Sequence, residues 1–505
     1  MGIGHTAAVS LLGVVGSVVD VEADIAPGMP GITVVGMGDT AVAQARDRVR
    51  AAVLNSGFGW PQTRLTVSLA PAGVHKRGAG FDLAIAVALL AAAEVVPARR
   101  VREAVLVGEL GLDGSVRPVP GVLPCLLAAI ASGRDSAIVA PDNLAEASLA
   151  RGMTVRGVRS LGDLVAHLKG EPGRLIEPGP PVSVVAGRGP DMAEVFGQGQ
   201  ARYALELAAA GGHHLAMIGP PGAGKTMLAA RLPGLLPPLT EEESLEVTAI
   251  HSVAGVLDPR TPLKVDPPFV DPHHSASLVA MIGGGSGDIR PGSVSLAHRG
   301  CLFLDEAPEF RRSVLDALRQ PMESGSVLVM RAKHMARFPA RFQLVLAANP
   351  CPCAAARDVD CTCPAGVRQR YLGRLSGPLM DRVDIRVDIP PVDLVALTGD
   401  APPQEPSEAI RQRVVQARER AAFRWRAFGY RCNAEAASAD VRELWKSRGP
   451  RTSLLDHAVR VGSLTARGYD RVLRLALTAA DLAERGRPAE SDVARALALR
   501  CGEAA

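Results

Sequence analysis

GPPGAGKT, at residues 219–226, fits the pattern G-x-x-x-x-G-K-[ST] of a phosphate-binding loop. HLAMIG precedes it and KTMLAARL follows it, so the pattern predicts a strand, a glycine-rich turn and a helix. Backbone N–H groups of such a turn close around a phosphate, Lys225 would reach the β- and γ-phosphates, and the Thr226 hydroxyl would ligate magnesium. The flanking elements favour a nucleotide site over a turn that binds nothing. The other predicted loop residues are Gly219, Pro220, Pro221, Gly222, Ala223 and Gly224.

Two adjacent carboxylates follow a second apolar segment, CLFLDEAPEF at residues 301–310. Leu302, Phe303 and Leu304 are predicted to form a buried strand, which would place Asp305 at the carboxyl edge of a sheet, where ligands bind in open α/β folds. Asp305 is the expected second magnesium ligand, and Glu306 is the expected general base for the attacking water. The alternative is an ordinary strand end with two solvated acids, and the phosphate-binding pattern favours the catalytic interpretation.

Two further polar positions are candidates for the same site. FQLVLAAN, at residues 342–349, predicts a third strand that ends at Asn349, whose amide would position the water. LSGPLMDRVDI, at residues 375–385, offers Arg382 between Asp381 and Asp384. An arginine beside a neighbouring subunit's γ-phosphate would stabilise the charge that develops during transfer. A surface salt bridge is the alternative role for this arginine.

The length of 505 residues predicts about three domains. Residues 1–170 mix β-branched runs with Ala-rich stretches, which is typical of an α+β or α/β domain. Residues 171–190 are rich in Pro and Gly and are the predicted linker, and residues 191–395 carry the motifs described above. After a second Pro-rich break, residues 405–500 have the apolar spacing of helices.

The composition excludes several classes of protein. Hydrophobic residues make up 47% and charged residues 21% of the chain, as in globular proteins. The longest apolar run, residues 83–93, has 11 residues where a membrane span needs about 20, so it predicts a buried core helix. The N-terminus lacks the basic region and cleavage site of a signal peptide. We therefore expect a soluble cytoplasmic protein with no membrane partner.

The excess positive charge lies in the C-terminal part of the chain. The net charge is +4, and from residue 401 onward there are 19 Lys and Arg against 13 Asp and Glu. Such a segment is compatible with nucleic-acid binding, but the charge taken alone favours a solvated helical face.

Three segments together resemble the magnesium-chelatase-like AAA+ ATPases of the YifB/ComM type: GPPGAGKT, PHHSASLVAMIGGG with RPGSVSLAHRGCLFLDEAPEF, and AANPCPC. The likeness extends to both ends, because PAGVHKRGAGFDLAIAVALLAA resembles the family's Lon-protease-like domain and LTARGYDRVLRLALTAADLA resembles its helical lid. The resemblance implies an α/β multidomain fold: a Lon-protease-like α+β N-terminal domain, an AAA+ P-loop αβα core and a C-terminal helical lid.

The resemblance also implies an activity and roles for particular residues. ATP and Mg²⁺ would bind between subunits of a homo-oligomeric ring, expected to be a hexamer. Asn349 would be the sensor-1 residue, Arg382 the finger acting in trans and Arg467 the sensor-2 residue, with Arg471 as the alternative for the last role. ComM-type members are regarded as DNA-dependent motors that drive branch migration in recombination during natural transformation. The resemblance thus favours an ATP-driven DNA helicase or translocase, and the alternatives are a chelatase-type ATPase subunit for metal insertion and a protein-remodelling ATPase.

One departure from the family pattern concerns the N-terminal domain. Lon-type proteolysis needs a serine just after a Lys-x-Gly stretch, and here KRGAGFD at residues 76–82 has Ala79 and Gly80 in that region. Because these residues offer no hydroxyl for nucleophilic catalysis, the domain is predicted to be non-proteolytic.

Four cysteines, Cys351, Cys353, Cys361 and Cys363, form the pattern C-x-C-x7-C-x-C directly after Asn349. Four thiolates in a short loop would form a closed, tetrahedral and structural zinc site. The pairs are tighter than the common C-x2-C, so four reduced cysteines in a flexible insertion remain an open alternative.

The segment ESGSVLVMRAKHMARFPARF, at residues 323–342, predicts a β-hairpin. SGSVLVM and FPARFQLV are expected to pair, with Arg331, Lys333, His334 and Arg337 near the tip. In a ring the tip would face the central channel, where cations track the phosphates of DNA. A charged surface turn is the alternative. A weaker DNA-binding candidate, which could equally serve the lid or a subunit contact, is the set of arginines at 411, 413, 418, 420, 424 and 426.

Overall fold

A computed structural model shows how the chain folds. It describes residues 2–36, 40–76, 78–172, 174–180, 189–285, 289–331, 334–355, 360–391 and 404–502. Within these ranges we distinguish an N-terminal unit, a central unit and a C-terminal helical unit.

The N-terminal unit is built on a seven-stranded mixed sheet with the order β3-β4-β2-β1-β5-β8-β9. A short ribbon, β6 with β7, lies apart from it. The strands are β1 Gly4–Leu12, β2 Val15–Ala26, β3 Gly31–Val35, β4 Arg64–Ala70, β5 Val105–Val107, β6 Glu109–Leu110, β7 Val116–Arg117, β8 Ser136–Val139 and β9 Thr154–Gly157. The helices are α1 Thr40–Asn55, α2 Asp82–Ala92, α3 Ala98–Val101, α4 Val122–Ala131, α5 Leu144–Ala147 and α6 Leu161–Lys169.

Helix α2 contains the long apolar run of the sequence. All 11 of its residues are buried, so the prediction of a core helix is confirmed. The 3-10 turn Ala79–Phe81 leads into it, and Ala79 and Gly80 lie in this turn. The Lys76 side chain is buried beside them and its ammonium donates to the Pro71 carbonyl oxygen. The prediction that the unit is non-proteolytic remains a prediction.

The central unit is built on a parallel sheet of five strands with the order β11-β14-β17-β10-β18. β12 with β13 and β15 with β16 form two separate ribbons. The strands are β10 Leu215–Ile218, β11 Phe269–Val270, β12 Gly283–Gly284, β13 Arg290–Pro291, β14 Cys301–Leu304, β15 Ser326–Arg331, β16 His334–Pro339, β17 Gln343–Ala348 and β18 Ile385–Asp388. The helices are α7 Gly199–Gly211, α8 Lys225–Ala229, α9 Leu232–Leu235, α10 Glu241–Ala254, α11 Leu278–Ile282, α12 Ser293–Leu296, α13 Arg312–Ala317, α14 Arg319–Ser324, α15 Ala365–Leu372 and α16 Gly377–Met380.

The C-terminal unit is helical, as predicted. Its helices are α17 Ser407–Trp425, α18 Ser438–Arg448, α19 Ser453–Arg460, α20 Ala466–Leu482 and α21 Glu490–Cys501. α20 is the central helix, because its buried face joins the same hydrophobic cluster as residues of α7, α17 and α21. Among the residues that the structure describes, no helix is long and apolar enough to cross a membrane.

The predicted linker at residues 171–190 begins with residues that belong to the N-terminal unit. Ile176 exchanges two backbone hydrogen bonds of 2.8 Å with Gly157 of β9, and Leu175 packs on the hydrophobic core of the unit. Residues 181–188 of this segment lie outside the described residues. The division of the chain at these boundaries stays a prediction.

Among the described residues, two of the contacts between the N-terminal unit and the central unit bear on the candidate sites. Ser252 of α10 donates its hydroxyl hydrogen to the buried Glu146 carboxylate of the N-terminal unit. The turn between β1 and β2 lies against the β15–β16 ribbon, where a Cβ on Gly13 would stand 3.2 Å from the Arg337 carbonyl oxygen. The N-terminal unit is therefore positioned on the ribbon that sequence analysis proposes for DNA binding.

Candidate ATP site

The phosphate-binding loop joins β10 to α8, and its conformation requires glycine at several positions, of which Gly219 and Gly224 are examples. A Cβ on Gly219 would lie 2.4 Å from the Ile389 carbonyl oxygen, so no larger residue fits there. Gly224 has φ = 88°, in the left-handed region that favours glycine. Gln198 supports this edge of the sheet by donating from Nε2 to the Pro390 carbonyl oxygen at 2.9 Å. The strand, turn and helix predicted from the sequence are all present.

Lys225 points into the loop and has three hydrogen-bond acceptors. Its Nζ donates to the carbonyl oxygens of Gly219 at 2.7 Å and Pro220 at 2.8 Å, and to Oδ1 of Asn349 at 3.0 Å. Burial lowers the pKa of the Lys225 ammonium from its ordinary value. The contact with Asn349 connects the end of β17 to the loop, so the predicted sensor residue and the predicted phosphate-binding lysine are neighbours.

The two predicted magnesium ligands also meet. Asp305 follows the fully buried strand β14, and its Oδ2 accepts a hydrogen bond of 2.7 Å from the Thr226 hydroxyl. Mg²⁺ prefers hard oxygen ligands and is commonly held by one or two carboxylates together with substrate phosphates. A hydroxyl and a carboxylate converging beside the phosphate-binding loop fit this requirement.

Glu306 is held in a strained backbone conformation next to Asp305. Its φ is 49°, in the left-handed region that few non-glycine residues adopt, and its N–H donates to Oδ1 of Asp305 at 2.9 Å. The Glu306 carboxylate lies 3.4 Å from Nδ1 of His274. The geometry therefore presents a carboxylate at the sheet edge with an imidazole as its neighbour.

Asp271 and His274, to which the sequence pattern assigns no role, also lie beside these carboxylates. Asp271 directly follows β11, which pairs with β14, and burial raises its pKa, with the negative charge of Asp305 acting in the same direction. His274 contacts Glu306, and the ring of His273 lies 4.1 Å from that of His274. These residues could have been found only by predicting that β11 lies in the central sheet. A strand of two residues has no alternating or apolar pattern from which it can be predicted.

The two candidate arginines lie together near the amino ends of the parallel strands, whereas the phosphate-binding loop lies at their carboxyl ends. Arg382 donates from Nη2 to Glu323 at 2.5 Å, and Arg467 of α20 lies 3.8 Å from the same carboxylate oxygen. Arg382 precedes β18, whose first residue, Ile385, is paired with Leu215 at the start of β10. The loop begins only after the end of β10, roughly 13 Å further along at about 3.3 Å per residue. The candidate arginines and the phosphate-binding loop of one subunit thus lie at opposite ends of the strands.

Arg471, the alternative for the sensor-2 role, contacts a buried carboxylate. It bonds to Asp384, which also accepts a 2.9 Å hydrogen bond from the His214 N–H. Burial alone would raise the pKa of Asp384, but the Arg471 guanidinium and the neighbouring histidines hold this pKa well below its ordinary value. Arg471 therefore connects the C-terminal unit to the sheet, whereas the side chain of Arg467 is more exposed.

The four cysteines of the predicted zinc site come together. Their Sγ atoms all lie within 4.8 Å of one another, and Cys351 is 3.1 Å from Cys353 and 3.4 Å from Cys361. A backbone hydrogen bond from Cys363 lowers the pKa of the Cys361 thiol to about 7. A group of four sulfur atoms with this spacing can hold a zinc ion.

The predicted hairpin forms, but with a different second strand. β15 pairs with β16, whereas FPARFQLV is divided between the end of β16 and the central strand β17. Arg337 is consequently opposite Leu328 within the ribbon, and the prediction that it lies near the tip is wrong. Arg331 and His334 form the last backbone pair, and Lys333 lies outside the described residues.

Several arginines of α17 pair within the chain. Arg413 donates to Glu206 at 2.7 Å and also contacts Glu405, and Arg424 donates to the buried Asp481 at 2.8 Å. These ion pairs neutralise part of the positive charge of the C-terminal unit, and the paired arginines are therefore poorer candidates for DNA binding.

The loop, the carboxylates and the parallel sheet are those of a P-loop nucleotide-binding protein. Family models match most of the chain. The model described as magnesium chelatase, subunit ChlI, matches residues 191–397, and the one described as subunit ChlI of Mg-chelatase matches residues 21–143. The model for the C-terminal part of the ChlI subunit matches residues 404–500.

Full-length relatives agree with these matches. An uncharacterized protein of Mycobacterium tuberculosis is 51% identical over 510 residues, with 99% of each chain covered. The uncharacterized protein YifB of Escherichia coli is 43% identical and covers 95% of this chain and 93% of its own. The competence protein ComM of Haemophilus influenzae is 39% identical, with 97% and 96% covered. The chain therefore belongs to the magnesium-chelatase-like family that includes YifB and ComM.

Proposed function

We propose that the chain is one subunit of a hexameric, ATP-driven DNA helicase or translocase that promotes branch migration in homologous recombination and natural transformation. It would act in the cytoplasm. Its N-terminal unit would be a Lon-like domain that does not cut peptides and that supports the DNA-binding ribbon. The competence role that the name of ComM states for that relative supports the DNA part of this proposal.

The observation that carries the proposal is the separation of Arg382 from Lys225. The candidate ligands for ATP and magnesium lie at the carboxyl ends of the strands, and Arg382 and Arg467 lie near the amino ends. Arginine side chains near the amino ends of the strands can reach only the γ-phosphate of a nucleotide that is bound to a neighbouring subunit. Such a contact is head-to-tail, and where the rotation between subunits closes, it forms a ring that repeats the contact at every interface.

Hydrolysis would use the residues in the following way. Lys225 and the loop N–H groups bind the phosphates, and Thr226 and Asp305 hold magnesium. The ion neutralises charge on the phosphate oxygens when it is bound. Glu306 accepts the proton of the attacking water and Asn349 orients that water. Arg382 from the neighbouring subunit stabilises the charge of the transition state.

DNA binding would use the β15–β16 ribbon. The exposed side chains of this ribbon include Met330, Met335 and Arg337. The sequence contains two further cations, Arg331 and Lys333, in the same segment. Cations on such a ribbon would contact phosphates without reading bases, so affinity for DNA would fall steeply with salt. We also propose that the four cysteines bind a structural zinc ion.

ATP hydrolysis with and without single-stranded, duplex and four-way-junction DNA tests the proposal. We expect DNA to stimulate hydrolysis and Lys225→Ala to abolish it. A rate that does not respond to any DNA, together with a protein retained by the ATP-bound Glu306→Gln variant, would favour a protein-remodelling ATPase.

A further inference from the structure

The cysteine cluster lies between the end of β17, which is followed by the predicted sensor residue Asn349, and the start of α15. Cys351 is two residues after Asn349 at the end of β17, and it is buried. Cys363 is followed by Pro364, which is the N-cap of α15. A bridge between the two cysteine pairs therefore joins the end of β17 to the start of α15.

Helix α15 in turn contacts the loop that follows Glu306. Just after the helix, Arg374 donates from Nη1 to the Pro308 carbonyl oxygen at 3.1 Å and to the Glu309 carboxylate at 2.9 Å. Tyr371 of the helix is buried, and burial, together with the negative charges of Glu309 and Glu306, raises its pKa to about 12. The cysteine pairs are thus connected through α15 to the segment that carries the predicted general base.

The chemistry of the donor set fits zinc and does not fit a hard cation. Four sulfur ligands in tetrahedral arrangement are typical of structural zinc sites, whereas calcium and magnesium take oxygen ligands. The Sγ atoms of Cys353 and Cys361, one from each pair, are 3.5 Å apart. A disulfide requires about 2.05 Å between its sulfur atoms, so the described cysteines form none.

We infer that one zinc ion bound by Cys351, Cys353, Cys361 and Cys363 fixes Asn349 and the Glu306 loop in their catalytic positions, so that zinc loading controls the hydrolysis step. Without the ion, the end of β17 and the start of α15 are connected only by the chain between them and are no longer held together by a metal bridge. Asn349 then loses its fixed position beside Lys225, while the phosphate-binding loop itself stays intact. The kinetic part of this inference rests on the proposed ATPase activity.

Metal content and backbone protection test the inference without any activity. The purified full-length chain is expected to contain about one zinc ion per chain, as structural sites with four cysteine ligands do. The double variant Cys361→Ala/Cys363→Ala should lose the ion, and hydrogen exchange should then accelerate at residues 343–355 and 364–372. Cys125→Ala, which removes a buried cysteine of the N-terminal unit, is the control and should keep both zinc and protection.

Single-turnover kinetics test the control of hydrolysis. In the double variant, and in the wild-type chain stripped of zinc with a chelator, the hydrolysis rate should fall by about 10- to 100-fold, the range for loss of a positioning partner. The affinity for a fluorescent ATP analogue should change by less than about threefold, because binding uses other residues. Adding Asn349→Ala to the double variant should cost little more, and returning zinc to the stripped chain should restore the rate.

Two results would overturn the inference. One is a wild-type chain without zinc, and the other is a zinc-free chain whose exchange at residues 343–355 and hydrolysis rate match those of the control. Failure of the proposed function is distinguishable, since the wild-type chain would then hydrolyse no ATP while its zinc content and hydrogen exchange could still be measured.

Discussion

Arg382→Ala tests whether the catalytic site is completed by a second copy of the chain. Arg382 lies at the sheet edge opposite Lys225, and its guanidinium is held by Glu323 and by the Pro378 carbonyl oxygen at 2.7 Å. An arginine that stabilises phosphoryl transfer is worth about 10³- to 10⁵-fold in rate. We therefore expect Arg382→Ala to reduce ATP hydrolysis at least about 10³-fold while leaving nucleotide binding close to that of the wild type.

Mixing this variant with Lys225→Ala gives a quantitative expectation. An interface is active when the subunit that supplies the loop keeps Lys225 and its neighbour keeps Arg382. In a ring assembled at random from equal amounts of the two variants, about one interface in four meets both conditions. The mixture should therefore regain up to about a quarter of the wild-type rate, although each variant alone is nearly inactive.

Phosphate release at a fixed total protein concentration, measured after subunits have exchanged, is the assay. Arg312→Ala removes an exposed arginine of the same unit and is the control expected to keep the wild-type rate. A mixture that stays as inactive as its components, while both variants still assemble, would refute the placement of Arg382 in a neighbouring site. Near-normal hydrolysis by Arg382→Ala alone would refute it as well.

Three other substitutions have expected outcomes. Glu306→Gln should still bind ATP but should hydrolyse it about 10²- to 10⁴-fold more slowly, which is the usual contribution of a general base. Nucleotide retention and phosphate release measure the two effects, and hydrolysis at the wild-type rate would exclude the base role. Asp384→Asn leaves the Arg471 charge partly buried and unpaired and should cost about 3–5 kcal/mol in urea unfolding. Because the pKa of Asp384 is depressed in the folded chain, its carboxylate stabilises the fold above the unfolded-state pKa, and this stabilisation is lost as pH falls below about 4. The difference in free energy of unfolding between the wild-type chain and the Asp384→Asn variant should therefore become smaller below that pH. Arg331→Ala with Lys333→Ala should lower DNA-stimulated hydrolysis and reduce its salt dependence while basal hydrolysis is unchanged, and an equal loss of both rates would contradict the channel role.

The parts predicted well from the sequence are those in which the local pattern contains the structural information. The apolar segments before the loop and before Asp305 became buried parallel strands, and the glycine pattern fixed the turn between β10 and α8. Since the carboxyl ends of parallel strands meet at one edge, the same strands also explain why Lys225, Asp305 and Asn349 lie together.

The ribbon was only partly predictable, because FPARFQLV reads as one continuous strand. Pro339 ends β16 and Gln343 begins β17, so the chain leaves the ribbon and enters the central sheet between them. Proline has no N–H to donate to a ladder, which explains the break, but the sequence does not show which half joins which sheet. The contribution of His274 was missed for a related reason, since it depends on a strand of two residues.

The partners of the C-terminal arginines could not be predicted at all. Arg467 and Arg471 are one helical turn apart on α20, and both lie among carboxylates that are more than 80 residues earlier in the chain. Only the packing of α20 against the sheet distinguishes them, because it buries Asp384 beside Arg471 and leaves Arg467 half exposed next to Arg382.

The most direct test of the central claim is the ATP-dependent conversion of a labelled four-way DNA junction into its duplex products by the purified full-length chain. We expect conversion to require ATP and magnesium, to be lost with Lys225→Ala and with Arg382→Ala, and to decline as salt increases. A junction that remains unconverted by a chain that assembles and hydrolyses ATP would contradict this expectation.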